Sequence, residues 1–348
     1  MSLFSLRHLL PSVREHRKVE AEIYRLLGET LDKDYVKPPP PPAGLLRYAQ
    51  RHIFSILFLA VYRAIGIPEE RRLLYGTINH AIRGIVTGTD NLLDDEYKEM
   101  LPLRFPERAT RFKSVMHILL FDRFLFRVLD EAAARGLLPE GRRQLVQQKI
   151  FQAMVPIGEE ESTEEGGVHE ILTPAQILRS IHVHKGGNLL RLAFVAPRLI
   201  EKDLFAPLEI ADQGIFRIGM ALQVIDDLTD FYEDIRDRRH NYLVSFIRFE
   251  GEAAERERLQ QLLDGEGEPE PVDRAFRASV ERVLARAIGE ALAGFAELEE
   301  AGFWLSASDA MRLIRYLFRL RGVGELLALW PRGKEPTETL GGLHGTAA

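Results

Sequence analysis

Helical periodicity constrains this chain most, because apolar residues recur at the spacing of an α-helix in nearly every long segment. No segment alternates apolar and polar residues as a half-buried strand would. The sequence therefore predicts an all-α protein of roughly ten helices. Long helices with short connections favour an antiparallel bundle. We expect the main helices at 12–33, 44–66, 69–97, 107–135, 139–157, 174–201, 207–237, 272–301 and 306–330.

The segments between these helices set the expected domain organisation. Five consecutive prolines, Pro38 to Pro42, cannot be helical and predict a stiff spacer. The acidic run at 158–167 and the run of glycine, glutamate and proline at 264–271 predict loops. We therefore expect an N-terminal helix and proline spacer, one helical domain, and a disordered tail, at 1–43, 44–330 and 331–348.

Composition excludes several classes of protein. The 348 residues carry a formal net charge of −6, which is not the footprint of a nucleic-acid-binding protein. There are no cysteines, so disulfides and thiolate metal sites are excluded. The most apolar run, 53–67, is too short for a membrane span and contains Arg63. We expect a cytoplasmic protein.

The stretch GMALQVIDDLTDFYED, Gly219 to Asp234, places three carboxylates four residues apart, at Asp226, Asp230 and Asp234. Positions i, i+4 and i+8 lie along one face of an α-helix. Like charges at this spacing destabilise an isolated helix by roughly 0.2–0.5 kcal/mol per pair. This face therefore requires either water or positive charge against it.

A second acidic cluster occurs earlier, in TDNLLDDE, and consists of Asp90, Asp94, Asp95 and Glu96. Two such faces, opposed in a bundle whose core is formed by 69–97, 174–201 and 207–237, would bind hard divalent cations through oxygen. Magnesium ions usually complete their coordination with substrate phosphates and water. The pattern favours a site for a diphosphate carried on a hydrocarbon tail, although acidic runs of this kind are also common on solvated helix surfaces.

Cationic side chains that could bind such a diphosphate follow in the same part of the chain. Arg179 and Lys185 lie in RSIHVHKGGN, and two glycines directly after the lysine predict a close approach of backbones. Further arginines follow the central acidic run and lie on the last helix, at Arg236, Arg238, Arg239, Arg312, Arg315 and Arg319.

These segments resemble the class I isoprenoid synthase superfamily, and most closely its trans-prenyltransferase branch, the polyprenyl diphosphate synthases. GMALQVIDDLTD is similar to the second aspartate-rich motif of that branch, with Gln223 and the Asp226–Asp227 pair in place. HKGGNLL resembles the Lys-Thr-Gly segment, with Gly186 in place of threonine. DNLLD stands where the first Asp-Asp-x-x-Asp motif belongs, with Asn91 replacing the second aspartate.

The resemblance implies a terpenoid-synthase bundle around a central cavity, an allylic isoprenoid diphosphate as substrate, and a homodimer. It implies three Mg²⁺ ions, two held by Asp90 and Asp94 and one held by Asp226 with Asp230 and Asp234. It also implies that the diphosphate is bound by Lys185, Arg179, Gln223 and Arg239. The activity would be ionisation of the allylic diphosphate and its coupling to a second isoprenoid unit.

This sequence departs from the branch where isopentenyl diphosphate would bind. The Gly-Lys-Arg-x-x-Arg-Pro segment is reduced to GLLRYAQR, with Arg47 and Arg51. Arg83 stands where a histidine precedes the first motif by seven residues. These departures leave the second substrate open.

Alternatives from the same superfamily also fit parts of the pattern. DNLLDD has the aspartate spacing of squalene and phytoene synthases, which couple two diphosphates head to head. The Asp226, Asp230 and Asp234 spacing and the Arg315–Tyr316 pair resemble bacterial terpene cyclases. Outside catalysis, the chain could be a helical subunit of a prenyltransferase, although such subunits lose their aspartates. A helical phosphohydrolase is disfavoured because the chain has no His-Asp pair.

Overall fold

The computed structural model describes residues 3–39, 41, 43–94, 97–164, 166–324, 326–329 and 340. Within these ranges the regular structure is helical, and the β-type pairing is one isolated antiparallel bridge between Val36 and Leu103. The all-α prediction is confirmed. Asp95, Glu96 and the predicted tail, apart from Leu340, lie outside the described residues.

The contacts divide the chain into two compact units. The N-terminal unit comprises 2–151 and 192–208, and the C-terminal unit comprises 152–191 and 209–348. The domain bounds drawn from the sequence stay a prediction. None of the described helices is long and apolar enough to cross a membrane.

The N-terminal unit is a helical layer in which α4 packs most extensively on α5, and α1 packs on α3 and α4. The buried face of α1 includes Val13, Ile23 and Leu26, so this helix contributes to the core of the unit. Its helices are α1 Leu3–Thr30, α2 Leu45–Arg51, α3 Ile53–Ile65, α4 Glu69–Leu93, α5 Thr110–Ala134 and most of α8 Leu189–Ile200, with α6 Arg142–Ser162 shared between the units.

Three of the helix boundaries in this unit differ from the prediction. The helix expected from residue 12 begins at Leu3. The helix expected at 44–66 is broken at His52, whose backbone angles of φ −120° and ψ 24° are not helical. The helix expected at 69–97 ends at Leu93. The third helix ends at Gly66, whose φ of 98° is a conformation that glycine adopts without a Cβ clash.

The C-terminal unit has more helices than the sequence indicated. Residues 242–263, where the sequence predicts no helix, form α11 and α12. Its helices are α7 Pro174–Gln176, a π-helix Ile177–Asn188, most of α9 Phe205–Thr229, α10 Phe231–Asp237, α11 Tyr242–Glu250, α12 Ala253–Leu263, α13 Val272–Ala275, α14 Arg277–Glu300 and α15 Ala307–Leu320.

Two further predictions for this unit need correction. The helix expected at 207–237 is interrupted at Asp230, where φ −94° and ψ 6° separate α9 from α10. The acidic run at 158–167 was expected to be a loop, but 158–162 form the last turns of α6. The charge of this run does not melt the helix, because Lys185 lies against it and offsets the repulsion.

The π-helix Ile177–Asn188 is the main irregularity within the helix predicted at 174–201. A capping box starts the segment, in which the Thr173 N–H donates to Gln176 Oε1 at 2.9 Å. The π-helix packs on α9 so closely that a Cβ added at Gly219 would lie 2.3 Å from the carbonyl oxygen of Gly186. The close backbone approach predicted at Gly186 and Gly187 is confirmed. Because π-helices are rare and concentrate at functional sites, this segment is a candidate for function.

Candidate functional site

The carboxyl end of α9 carries the first two carboxylates of the central acidic run, Asp226 and Asp230. The Asp230 N–H donates to the Asp226 carbonyl oxygen at 2.9 Å, so the two residues remain one helical turn apart across the break. The guanidinium of Arg321 donates to Asp226 Oδ2 at 2.7 Å. Burial raises the pKa of Asp226 to about 7 even against the attraction of Arg321. Burial also raises the pKa of Asp230. Further positive charge, such as that of a divalent cation, would lower the pKa of both carboxyl groups.

Asp227, the next residue, has a different environment because its carboxylate is buried and fully engaged in hydrogen bonds. Its Oδ2 accepts from the Tyr242 N–H at 2.5 Å and lies 2.9 Å from His182 Nε2. The side-chain amide of Gln223 donates to Oδ1 at 3.2 Å. Asp227 therefore joins α9 to the π-helix and α11. The predicted role of Gln223 in substrate binding stays a prediction.

The third carboxylate of the predicted metal set, Asp234, points into the protein. Asn241 Nδ2 donates to Asp234 Oδ2 at 2.8 Å and to the Asp227 carbonyl oxygen at 2.7 Å. Burial raises the pKa of Asp234 to about 7. Its geometry suits a link between α10 and α11, and its part in metal binding stays a prediction. The side chain of Arg239, five residues further on, is exposed.

Lys185, the predicted diphosphate ligand, lies on the π-helix and makes ion pairs with the end of α6 and the turn after it. Its Nζ is 2.8 Å from Glu164 Oε2 and 3.5 Å from Glu161 Oε1. Burial opposes its charge, but these carboxylates outweigh burial and raise the pKa of Lys185. Burial raises the pKa of neighbouring Glu160 to about 8. Arg179 lies on the same π-helix and is exposed.

The first acidic cluster lies at the carboxyl end of α4, in the N-terminal unit. Asp90 is half-buried and Asp94 is exposed. The Asp94 N–H donates to the Asp90 carbonyl oxygen at 2.9 Å, so the two side chains lie on one face of the helix. Asn91 is buried and makes two hydrogen bonds with the backbone of Lys98. Its Nδ2 donates to the Lys98 carbonyl oxygen at 3.1 Å, and its Oδ1 accepts from the Lys98 N–H at 2.9 Å. The residue that replaces the second aspartate therefore fixes the segment that follows the helix.

A cavity of about 520 Å³ lies in the N-terminal unit and has a cationic lining. It brings together the three arginines that sequence reasoning singled out for a second substrate, Arg47, Arg51 and Arg83. Burial lowers the pKa of Arg83, and neighbouring Arg51 lowers it further. Other polar residues of the lining are Arg17, Glu20, Lys37, Tyr48, His52, His80 and Glu99.

One face of α4 connects this cavity with the first acidic cluster. His80, Arg83, Asp90 and Asp94 follow one another at spacings of three, seven and four residues, which keep them on the same side of a helix. Arg83 lies seven residues before Asp90, or roughly 10 Å along the axis. A molecule bound at the arginines would therefore lie within a few helical turns of the Asp90 carboxylate.

Sequence reasoning missed several residues of this cavity. Arg17 comes from α1 and Lys37 from the segment before the prolines, and neither carries a local signal. Three buried histidines next to the cavity were also missed. Burial lowers the pKa of His16 to about 2, of His80 to about 3 and of His52 to about 4. The spacing of His16 and Glu20, one helical turn apart, was the one available clue.

Comparison with known proteins gave no matching protein-family model and no matching curated relative. Solved structures do match along most of the chain. The geranylgeranyl pyrophosphate synthetase of Pyrococcus horikoshii superposes with a TM-score of 0.59 at 16% identity, covering 90% of this chain and 98% of its own. The decaprenyl diphosphate synthase of Rhodobacter capsulatus gives the same four values. A polyprenyl synthase of Roseobacter denitrificans gives a TM-score of 0.52 at 19% identity, with 89% and 98% covered.

These likenesses agree with the aspartate-rich motifs, although every identity is below 20%. The resemblance drawn from the sequence is confirmed at the level of architecture. The chain has the all-α fold of the polyprenyl diphosphate synthases.

Proposed function

We propose that this protein is a Mg²⁺-dependent prenyltransferase that ionises an allylic diphosphate and couples it to a second isoprenoid unit. The fold supports the reaction class. The paired carboxylates Asp226–Asp230 and Asp90–Asp94 support a metal-dependent diphosphate chemistry, because each pair lies on one helical face.

The observation that carries the proposal is the arginine-lined cavity on the α4 face that also bears Asp90. A coupling reaction needs a place for a second diphosphate, whereas a cyclase acts on one. Arg47, Arg51 and Arg83 provide donors of the type that bind phosphate oxygens in pairs. This cavity therefore supports isopentenyl diphosphate as the second substrate, despite the reduced sequence motif.

The predicted metal ligands fit a hard divalent cation by the chemistry of their donor atoms. Asp226, Asp230, Asp90 and Asp94 offer carboxylate oxygens, and the raised pKa of Asp226 reflects a burial of negative charge that a cation would compensate. Bound Mg²⁺ neutralises a diphosphate and makes it a better leaving group. A polyprenyl synthase of Caulobacter crescentus with this fold was solved with calcium and isoprenyl diphosphate. Three ions per site remain part of the proposal.

Lys185 is proposed to bind the allylic diphosphate, with Arg179 and Arg239 as further donors. In the structure Lys185 pairs with Glu164 and Glu161. Binding of a diphosphate at Lys185 would exchange one anionic partner for another, so the side chain stays charged throughout. The attacking alkene comes from the second substrate, and no nucleophile from the protein is required.

The test is a product assay with purified protein, Mg²⁺ and allylic diphosphates of graded length, with and without isopentenyl diphosphate. Elongated diphosphates that form only when isopentenyl diphosphate is present support the proposal. Head-to-head products or cyclic hydrocarbons from the allylic substrate alone would assign the protein to a sister branch. Release of diphosphate without Mg²⁺ would rule out the metal-dependent mechanism. The absence of any turnover would support a non-catalytic subunit.

A homodimer is also proposed, with α5 as the helix that meets the second copy. Four large apolar side chains are exposed along α5 at helical spacing, namely Phe112, Val115, Leu119 and Phe126. Leu119 is the most exposed of the four, at 57%, and an apolar patch of this kind on a protein surface commonly marks an interaction site. Light scattering after gel filtration should give twice the chain mass. Leu119→Glu should shift the protein to the monomer, and a monomeric wild type would contradict this part of the proposal.

A further inference from the structure

A cluster of metal-binding side chain types lies in the N-terminal unit, away from the aspartates discussed above. His16, Glu20 and His52 each offer a ligand atom, and these atoms lie within 4.8 Å of one another. His16 and Glu20 are one turn apart on α1, so both project from the same face. His52 stands at the break between α2 and α3. The cluster therefore joins two separate parts of the unit.

The histidine nitrogens of this cluster are incompletely satisfied. His16 Nε2 and His52 Nδ1 are buried, and neither has a hydrogen-bond partner among the described residues. A buried polar atom without a partner is unfavourable, because it has lost its hydrogen bonds to water and gained none in return. Two such atoms in one small cluster are better explained by a bound ligand than by core packing alone.

Tyr48 determines which nitrogen of His16 is available. The Tyr48 hydroxyl donates its proton to Glu20 Oε2 at 2.5 Å. Its oxygen lies 2.7 Å from His16 Nδ1, and since the hydroxyl proton is already used, this nitrogen must be the donor. The lone pair of His16 is then on Nε2, the buried atom without a partner. A histidine oriented by a hydrogen bond through its other nitrogen is typical of metal ligands.

We propose that His16, Glu20 and His52 bind one divalent transition-metal ion of the zinc type. Two imidazoles and one carboxylate suit Zn²⁺ and Co²⁺, whereas Mg²⁺ prefers oxygen ligands and water. Glu20 and His52 also line the arginine-rich cavity, which leaves a fourth coordination position for water or an anion. The ion would tie α1 to the α2–α3 junction beside that cavity.

The positive charge of the cavity argues against a tightly bound bare cation, and this limits the affinity. Arg17, Arg51 and Arg83 line the same cavity as Glu20. One carboxylate offsets only half of the charge of a divalent ion. We therefore expect micromolar rather than nanomolar binding of zinc.

The test measures metal binding by protein that carries no histidine tag, stripped with a chelator and returned to buffer with millimolar Mg²⁺. Cobalt should give visible absorption bands of a site with nitrogen ligands, and zinc should displace it at one ion per chain. His16→Gln, His52→Gln and Glu20→Gln should each weaken zinc binding at least tenfold. Tyr48→Phe removes the orienting hydroxyl and should weaken it by about 10–100-fold.

His117→Gln is the matched control, because His117 is buried in the same unit and also has a ring nitrogen, Nδ1, without a partner among the described residues. This variant should bind zinc as the wild type does. Circular dichroism of each variant without metal checks that the fold is retained. Wild-type protein that binds no zinc at micromolar concentration, or an equal loss in His117→Gln, overturns the proposal. Zinc binding is measured without turnover. The proposed zinc site and the proposed prenyltransferase activity are therefore tested independently, and either one can be refuted without the other.

Discussion

The acidic run of the C-terminal unit and the arginine-lined cavity of the N-terminal unit are both clusters of like charge, but they are built in opposite ways. The carboxylates Asp226 and Asp230 come from one turn of chain at the end of α9. The cations of the cavity come from α1, the segment after it, α2 and α4. The helical repeat alone brings the two carboxylates together, whereas the cations of the cavity come together only when the helices pack.

Each cluster contains a few charges of the opposite sign, but too few to balance its own charge. The remaining charge indicates the kind of ligand that each cluster could bind. Arg321 pairs with Asp226, yet burial still raises the pKa of Asp226 to about 7. Glu20 and Glu99 lie among the five cations of the cavity. The acidic run is thus suited to a cation and the cavity to an anion, which is the pairing that a metal-bound diphosphate and a second diphosphate would require.

Asp227 should be the exception within the acidic run, since its carboxylate serves the fold. Asp227→Asn must place its N–H₂ group either at the Oδ2 position, against the Tyr242 N–H and His182, or at the Oδ1 position, against the Gln223 amide, and either choice leaves buried groups unpaired. We expect a loss of about 3–5 kcal/mol in the free energy of unfolding. Urea unfolding measures this. A variant as stable as the wild type would mean that Asp227 belongs with the metal ligands rather than with the core.

Asp226→Asn should have the converse effect, with a small change in stability and a large change in turnover. Loss of one group that stabilises developing charge typically lowers kcat by about 10²–10³-fold. Steady-state release of diphosphate from an allylic substrate measures this. Glu233→Gln is the matched control, because Glu233 lies in the same acidic run with an exposed side chain and should keep its activity. Equal losses in both variants would contradict a specific role for Asp226.

Glu160→Gln tests the acidic segment beside Lys185. Burial keeps Glu160 protonated in the folded protein up to about pH 8, whereas its ordinary pKa is 4.5. The folded state therefore binds the extra proton, and this contribution to stability is complete below pH 4.5 and lost as the pH rises through 8.

At pH values above 8, Glu160→Gln should be more stable than the wild type by about 1–3 kcal/mol, since it removes a buried carboxylate that has no hydrogen-bond partner among the described residues. Below pH 4.5 the two proteins should be equally stable. Urea midpoints across this range measure the difference. Glu159→Gln, with an exposed side chain, is the control and should follow the wild type. Parallel pH profiles for Glu160→Gln and wild type would show that the carboxyl is not buried in solution.

The sequence predicts the local features of these regions and misses the tertiary ones. The all-α class, the close approach at Gly186 and the motif around Asp226 follow from residue types at fixed spacing. The partners of Lys185 do not, because Glu164 lies 21 residues away and meets it only through packing. The break at Asp230 and the π-helix were also missed, because both keep the apolar periodicity of an ordinary helix.

Arg83→Gln gives the smallest expected effect and the sharpest comparison between the two clusters. If the cavity binds the second diphosphate, loss of one guanidinium should raise KM for isopentenyl diphosphate about tenfold, which corresponds to about 1.4 kcal/mol. Hydrolysis of the allylic diphosphate alone, which depends on the aspartates, should be unchanged. Arg108→Gln, an exposed arginine of the same unit, should alter neither quantity.

Because Arg83 shares its helix face with Asp90, a structural effect spreading along α4 would lower both activities together. A selective rise in KM can therefore come only from the cavity, and equal losses in the two reactions would show that the arginines support the helix instead of a second substrate.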